Sequence, residues 1–491
     1  MKTKPISKIK GIKRLQKSLV INKDSLSLEL DIKLTDKNGN IEYEKTKKGD
    51  SFVANFLRLL YLQMARDIRA EAMGSTMYYR ANSYTAPSIS SITSGSGAVF
   101  RLTFTSTFFS SSIYDSGGKI SLGGFQGITL EGIYDFVKVS SSAIDITGTT
   151  YSAGWTTGTG GCHIFLARDN FGNPSYNMFG NEGIIIGSGT TPVTINDFCV
   201  AKLIPSIAAD GGLVHSTSIV AQDTNDAISA QITMTRSFVN NGAVTVSVNE
   251  VGYLMNAGTG NYIVMVMRDI LPDAVNVAAG KTLTINYRIK TTLGTGTDPG
   301  GFVTNFMRLM YRHIQGTSRA AIDINNTSRE LGRTNSTFLA VKCGGINTEY
   351  PQGSSSAYES ESGYKHGIIV GRGNTAVSMG DYYLETPITH GVGENQMLYY
   401  GGFAEDFTVG ADYAEFTIKK AMENVSGATI SINEYALIVG SASSTASSDS
   451  FTSYLGLAAY LYLITRNVLD VAIDVLDDEV LITEYKIRVA I

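Results

Sequence analysis

Phe52-Val53-Ala54-Asn55-Phe56-Leu57-Arg58-Leu59-Leu60-Tyr61 returns, almost unchanged, as Phe302-Val303-Thr304-Asn305-Phe306-Met307-Arg308-Leu309-Met310-Tyr311. One shared decapeptide is a weak signal, but several shared blocks in one order make a duplication. Gly183-Ile184-Ile185-Ile186-Gly187-Ser188-Gly189-Thr190-Thr191 recurs as Gly367-Ile368-Ile369-Val370-Gly371-Arg372-Gly373-Asn374-Thr375. An aspartate follows in each copy (Asp197, Asp381), then Thr245–Glu250 against Thr429–Glu434. The block opened by Arg268 is matched by that opened by Arg466, and Leu283–Ile289 by Leu481–Ile487. The chain thus divides into an arm at 1–23, a first copy at 24–293 and a second at 294–491. Segment 281–293 stays open as a strand that both copies use, so the expected arrangement is a rigid tandem with little linker.

Within each copy the hydrophobic period is mostly two. Leu26, Leu28, Leu30, Ile32 and Leu34 alternate with Ser, Glu, Asp and Lys, as on a strand with one dry and one wet face. Thr245–Val248, Tyr262–Met267 and Thr282–Ile289 read the same way. Phe52–Met64 is the exception: Phe52, Phe56, Leu59 and Leu60 form a helical stripe that leaves out Asn55 and Arg58, with Gly49 and Asp50 at the capping position. Copy 1 also carries roughly 66 extra residues, placed within about 95–160, which read as an inserted β-subdomain. Copy 2 instead has a Ser/Thr-rich surface loop at Ser441–Ser453. The fold class is mainly β: two tandem β-sandwich-like domains, each with one amphipathic helix, and a β insertion in the first.

Composition fits. The chain has 491 residues, 43% hydrophobic and only 17% charged, with 51 Gly and 9 Pro. The 26 Tyr and 20 Phe speak against disorder, and the lack of Leu/Glu/Lys heptads against a coiled coil. No apolar run is long enough to span a membrane as a helix, and no signal peptide core follows the basic start. Three cysteines, Cys162, Cys199 and Cys343, make no disulfide scaffold and point to synthesis in a reducing cytoplasm. The net charge of −4 disfavours nucleic acid as a partner, except through the arm. There Lys2, Lys4, Lys8, Lys10, Lys13, Arg14 and Lys17 stand without an acid, interleaved with Ile6, Ile9, Ile12 and Leu15. Such an arm is expected to order by docking on an acidic neighbouring subunit.

Candidate sites read as structural. Gly187 and Gly189, like Gly371 and Gly373, suggest a phosphate loop, but Pro192-Val193-Thr194-Ile195 is poor helix material and no Gly-Lys-Ser/Thr appears. A tight turn with glycines at positive φ is the expectation. Asp197 and Asp381 are expected to cap a turn, and Glu250 with Arg268, like Glu434 with Arg466, to satisfy each other or backbone groups near a sheet end. Arg58 and Arg308 pair with one of these acids or with a neighbouring subunit. His163, His215, His313, His366 and His390 lack metal spacing, and His163 beside Cys162 points to the opposite face of a strand. Trp155 and the tyrosines read as packing, and the sequons at Asn335 and Asn424 carry no meaning without secretion. No cofactor, metal or catalytic set is expected.

Gly367–Ser378, followed by Asp381 and Leu384-Glu385-Thr386-Pro387-Ile388, resembles a motif recurrent in virion structural proteins of tailed bacteriophages. Val248–Tyr253 is similar to the Glu-x-Gly-Leu strand of phage tail-fibre and collar-type proteins; copy 2 departs from it with Ala436 where copy 1 has Gly252. The resemblance covers most of both copies but neither the insertion nor the arm. It implies a virion component made in the host cytoplasm, non-enzymatic, working with other virion proteins and with copies of itself. Its station, in tail, neck or capsid decoration, stays open. A ring of such chains would present twice as many similar domains as chains, and so could join parts of unequal symmetry through helix faces or sheet edges. The rival reading is a receptor- or glycan-binding fibre protein that uses the insertion and the 441–453 loop. A polysaccharide-degrading enzyme would instead need a carboxylate pair about 5–10 Å apart in a groove.

Overall fold

A computed structural model describes residues 10–21, 26–49, 52–65, 77–80, 89–95, 99–105, 107, 109, 111, 114–123, 132–149, 161–168, 183–222, 226–257, 262–293, 301–315, 319–331, 365–401, 403–441 and 460–491. The protein is mainly β. Strands β1 (Gly11–Ile21), β2 (Leu26–Thr35) and β3 (Ile41–Gly49) precede helix α1 (Ala54–Ala65). Next come β4 (Met77–Arg80), β5 (Ile89–Ser94), β6 (Phe100–Phe104), β7 (Gly118–Gly123), β8 (Gly132–Ser140), β9 (Ala143–Thr147) and β10 (Gly161–Arg168). The first copy closes with β11 (Gly183–Gly187), β12 (Val214–His215), β13 (Ile219–Gln222), β14 (Ser229–Val239), β15 (Val246–Ala257), β16 (Tyr262–Val277) and β17 (Thr282–Thr292). The second begins with β18 (Gly301–Phe302), α2 (Thr304–Gln315), β19 (Arg319–Ile322), β20 (Ser328–Leu331) and β21 (Gly367–Gly371). It ends with β22 (Thr389–His390), β23 (Gln396–Tyr399), β24 (Phe403–Val409), β25 (Tyr413–Asn424), β26 (Ile430–Ser441), β27 (Tyr460–Val475) and β28 (Glu479–Ala490).

Each copy packs two sheets face to face. In copy 1, β12-β14-β17-β2-β3 faces a sheet that begins β11-β15-β16. In copy 2, β22-β23-β25-β28-β1 faces β21-β26-β27-β18. The alternation read at Leu26–Leu34 is realised: Leu28, Leu30 and Ile32 of β2 are fully buried and the residues between them are not. Tyr253 meets Tyr287 across the first sandwich, as Tyr435 meets Tyr485 across the second. The strands within about 95–160, β6 to β9, are hydrogen-bonded into the sheet that holds β11, β15 and β16. Strands β4 to β10 continue the β16 side of the first sandwich into a ten-stranded sheet, because β4 bonds both β16 and β10.

The expected sharing of 281–293 is not what the structure shows. β17 pairs with β14 and β2 inside copy 1. The corresponding edge of copy 2, along β28, is filled by β1 from the basic arm, in parallel.

The helices are less exposed than a surface stripe implies. Asn55 and Arg58 are as buried as the apolar stripe, because α1 is covered on two sides. It packs on β16 of its own copy and on β24, β25 and β28 of the other, with the Tyr61 ring 5.4 Å from both Phe407 and Phe416. α2 does the reverse, lying between β27 of its own copy and β13 and β14 of copy 1. Each copy thus lends its helix to the other, and one continuous hydrophobic core runs through both. Gly49 ends β3 instead of capping the helix, and Asp50 lies outside the described residues. The leading N–H groups are taken by carbonyls of copy 1: Val53 donates to Val266 of β16 at 3.1 Å and Ala54 to Ile195, in the loop after β11, at 2.8 Å.

Candidate functional site

The repeated charged residues meet at the ends of β11 and β21. Glu250, on β15, projects its carboxylate into the loop that leaves β11. Its Oε1 accepts from the Gly189 N–H at 2.9 Å and the Lys202 N–H at 2.8 Å; its Oε2 accepts from the Ala201 N–H at 2.9 Å. Arg268, across the ladder on β16, donates to Oε2 through Nε at 2.9 Å and Nη2 at 2.8 Å. Its Nη1 reaches Asp197 at 2.6 Å and its Nη2 the Thr191 carbonyl at 3.0 Å. Asp197 in turn accepts from the Thr194 N–H at 3.0 Å.

Copy 2 repeats the knot nearly bond for bond. Glu434 accepts from the N–H groups of Gly373 at 3.0 Å, Glu385 at 3.1 Å and Thr386 at 2.8 Å. Arg466 donates to Glu434 and to Asp381, at 2.9 Å each, and to the Thr375 carbonyl at 3.2 Å. Both glutamates are wholly buried, and Arg268 and Arg466 nearly so. Burial alone would lower the pKa of each guanidinium, but the carboxylates around it outweigh that and hold it above its ordinary value.

This geometry corrects the expected role of the glycines. Gly187, Gly189, Gly371 and Gly373 do not adopt positive φ; Gly183 (60°) and Gly367 (75°), at the starts of the two strands, do. The four motif glycines are needed for room, since a Cβ at any of them would collide with the glutamate carboxylate. Nor is Gly187-Ser188-Gly189 a tight turn. The chain leaves β11 there and wraps the carboxylate, with Ser188 donating to the Lys202 carbonyl at 2.8 Å.

The remaining candidates lie elsewhere. Arg58 donates from Nη1 to Asn55 at 2.8 Å inside the helix layer, and burial lowers its pKa to about 10. Arg308 is the half-buried residue of α2. Lys10, just ahead of β1, and Arg14, on it, lie beside Asp478 and Glu484, at 3.2 Å and 3.6 Å, within the same chain. Lys13 and Lys17 are also on β1, partly exposed. Lys2, Lys4 and Lys8, the loop beyond Ser441, Trp155, Cys343 and the sequon at Asn335 fall outside the described residues, as do the side chains of Cys162, His163 and His313. Cys199 is buried beside the first knot, where burial and then the Glu250 charge push its thiol well up, away from thiolate chemistry. His390 Nδ1 accepts from the Tyr399 N–H at 3.0 Å. No cluster of three or more metal-binding side chains occurs among the described residues. Among them, too, no helix is long and apolar enough to cross a membrane.

Sequence reading missed two matched features. Asn240 donates from Nδ2 to the Val244 and Val277 carbonyls, and Asn424 does the same to Ala428 and Val475, all at 2.7–2.8 Å. Asn249 and Asn433, each preceding its glutamate, donate to the carbonyls of Ser188 and Arg372 at 2.8 and 2.9 Å. The signal was their recurrence in both copies. One matched position differs. Asp269 of copy 1 accepts from the Tyr287 hydroxyl at 2.9 Å and lies 3.6 Å from Lys47 of β3. Its counterpart Asn467 is equally buried, and both of its amide atoms lack a partner. Among the described residues, copy 2 has no counterpart of β3 to bring a lysine, and the position is uncharged.

No family model matches the chain, and neither does any curated protein. Among solved structures it has a weak similarity to the surface layer protein SbsC, domains 1–6, with 10% identity over 83% of this chain and a TM-score of 0.10. The chain spans about half the length of that structure, 55%. A similarity at that level carries no argument about fold or function.

Proposed function

We propose that the chain is a non-enzymatic structural component of a tailed-phage virion, assembling through its duplicated β domains in the tail, neck or capsid-decorating region. The observation that carries the reading is the paired knot. The segments that resemble phage virion proteins, Gly367–Ser378 with Asp381 and the strand around Glu250, are those that build it. Their charged groups are committed to neighbouring backbone and to each other, so the motif works as a fastener of strands. The interlocked helices hold the two copies together, so that each chain brings two related β sandwiches to an assembly, which suits a part joining rings of unequal symmetry.

Immunogold labelling of density-purified particles, with peptide counting by mass spectrometry, tests this. The expected result is many copies per particle, labelled at one symmetric station. A chain absent from purified particles but present in the lysate overturns the proposal.

One observation favours the adhesin reading as a second possibility. Strand β8 of the insertion presents Ile133, Val137 and Val139 to solvent, with Val137 53% exposed. Val137→Asp with Val139→Asp should then abolish adsorption to host cells while particles still assemble. Unchanged adsorption removes that reading.

A further inference from the structure

Copy 1 completes its outer sheet with its own strands: β2 pairs antiparallel with β17, and β3 extends the sheet beyond it. Among the described residues, copy 2 has no such strand of its own. The segment ahead of its helix is β17, which belongs to copy 1, so the β28 edge is filled from elsewhere in the sequence. The strand that fills it, β1, runs parallel to β28 through eleven residue pairs, from Gly11 opposite Glu479 to Ile21 opposite Val489. A parallel pair cannot be closed by a tight hairpin, so its strands come from well-separated parts of a chain or from different chains.

β1 carries its recognition with it. Leu15 and Leu19 are buried in the core, while Lys10, Ile12, Arg14, Gln16 and Ser18 form the wet face. The Lys10 N–H donates to the Asp478 carbonyl at 2.9 Å, and its Nζ lies 3.2 Å from the Asp478 carboxylate. Gln16 donates to Glu484 at 2.6 Å, and Arg14 lies 3.6 Å from the same glutamate. All of these partners belong to copy 2, whereas β1 is joined covalently to copy 1, through residues 22–25. Within one chain the strand ties together domains that are already locked by their helices. Supplied by another chain, the same contacts would join two molecules, with Lys10 and Arg14 set beside Asp478 and Glu484 to fix the register.

We propose that the β28 edge is a strand-accepting site and that in the assembled protein it receives β1 of a second copy of this chain. The inference rests on the reading of the protein as self-assembling and specifies how one chain holds the next. Ser18 and Lys486 are opposite each other in the register, and neither is buried. Full-length Ser18→Cys and Lys486→Cys chains, mixed, unfolded and refolded together under mild oxidation, should give a two-chain species linked through the new thiols. Non-reducing electrophoresis and peptide mapping read the link. Adding Leu15→Asp and Leu19→Asp to the Ser18→Cys chain should abolish that species. The double variant Ser18→Cys/Lys486→Cys reports whether β1 reaches β28 at all. If its disulfide closes only within single chains and the mixture gives no two-chain species, exchange is overturned. A double variant that closes no disulfide overturns it as well. The readout needs no particle: exchange can hold in a protein absent from virions, and a virion component can lack exchange, so the two ideas fail separately.

Discussion

Arg268 and Arg466 give up their hydration on burial and recover it through carboxylates and carbonyls placed to receive them. Removing one partner from such a group leaves the other charge stranded, so Glu250→Gln or Arg268→Met should each cost about 3–5 kcal/mol in denaturant unfolding. The double variant should recover a large part of that loss, because neither charge is then left alone. The matched changes at Glu434 and Arg466 should behave alike. Asn467 sets the reverse case. With no partner for its buried amide, Asn467→Leu should cost nothing or stabilise by about 1 kcal/mol, while Asn467→Asp should destabilise strongly. His215 adds a pH dependence. Its ring packs on Phe238, and burial, helped by the nearby Arg236 charge, lowers its pKa from 6.5 to about 3. The fold therefore prefers the neutral ring. Its contribution is full above pH 6.5 and is lost as pH falls toward 3. Melting temperatures of the parent chain and of His215→Gln, measured across that range, should converge in slope only if another group is responsible. At this scale recurrence made the knot residues visible as a set. Their individual bonds stayed hidden, because which backbone N–H meets Glu250 depends on the irregular path from Ser188 to Lys202.

The strands were legible as elements because alternation and burial share a period: β2, β15, β16 and β17 fall where the pattern of apolar residues places them. The helices were legible in position but not in surroundings. A stripe of Phe52, Phe56, Leu59 and Leu60 reports one buried face, and nothing local reports that Phe407 and Phe416 arrive from the other copy to cover a second. Tyr61→Ala should consequently cost about 3–5 kcal/mol, a core-aromatic loss and not that of a surface residue, by thermal or chemical unfolding. The intrachain partner of the arm was hidden for a related reason. Its lysines suggest solvent or a neighbour, while the carboxylates beside Lys10 and Arg14, those of Asp478 and Glu484, belong to the same chain and are remote in sequence.

For the whole molecule, duplication suggests two folding units, whereas the shared core and exchanged helices describe one. Calorimetry should show a single transition for the described core, with calorimetric and van't Hoff enthalpies in agreement. Segments 24–293 and 294–491 produced separately should be insoluble or loosely folded, since each leaves the other's helix and sheet uncovered. Two well-separated transitions, or a soluble and cooperative half, would contradict the interlock. The parallel pairing of β1 with β28 also sets a timetable for synthesis. The ribosome makes β1 early and reaches its partner roughly 460 residues later, a wait of about 20–90 s at ordinary elongation rates. Throughout that interval a sticky strand with two core leucines must stay out of trouble. Its dense lysines act as gatekeepers against premature pairing until β28 emerges.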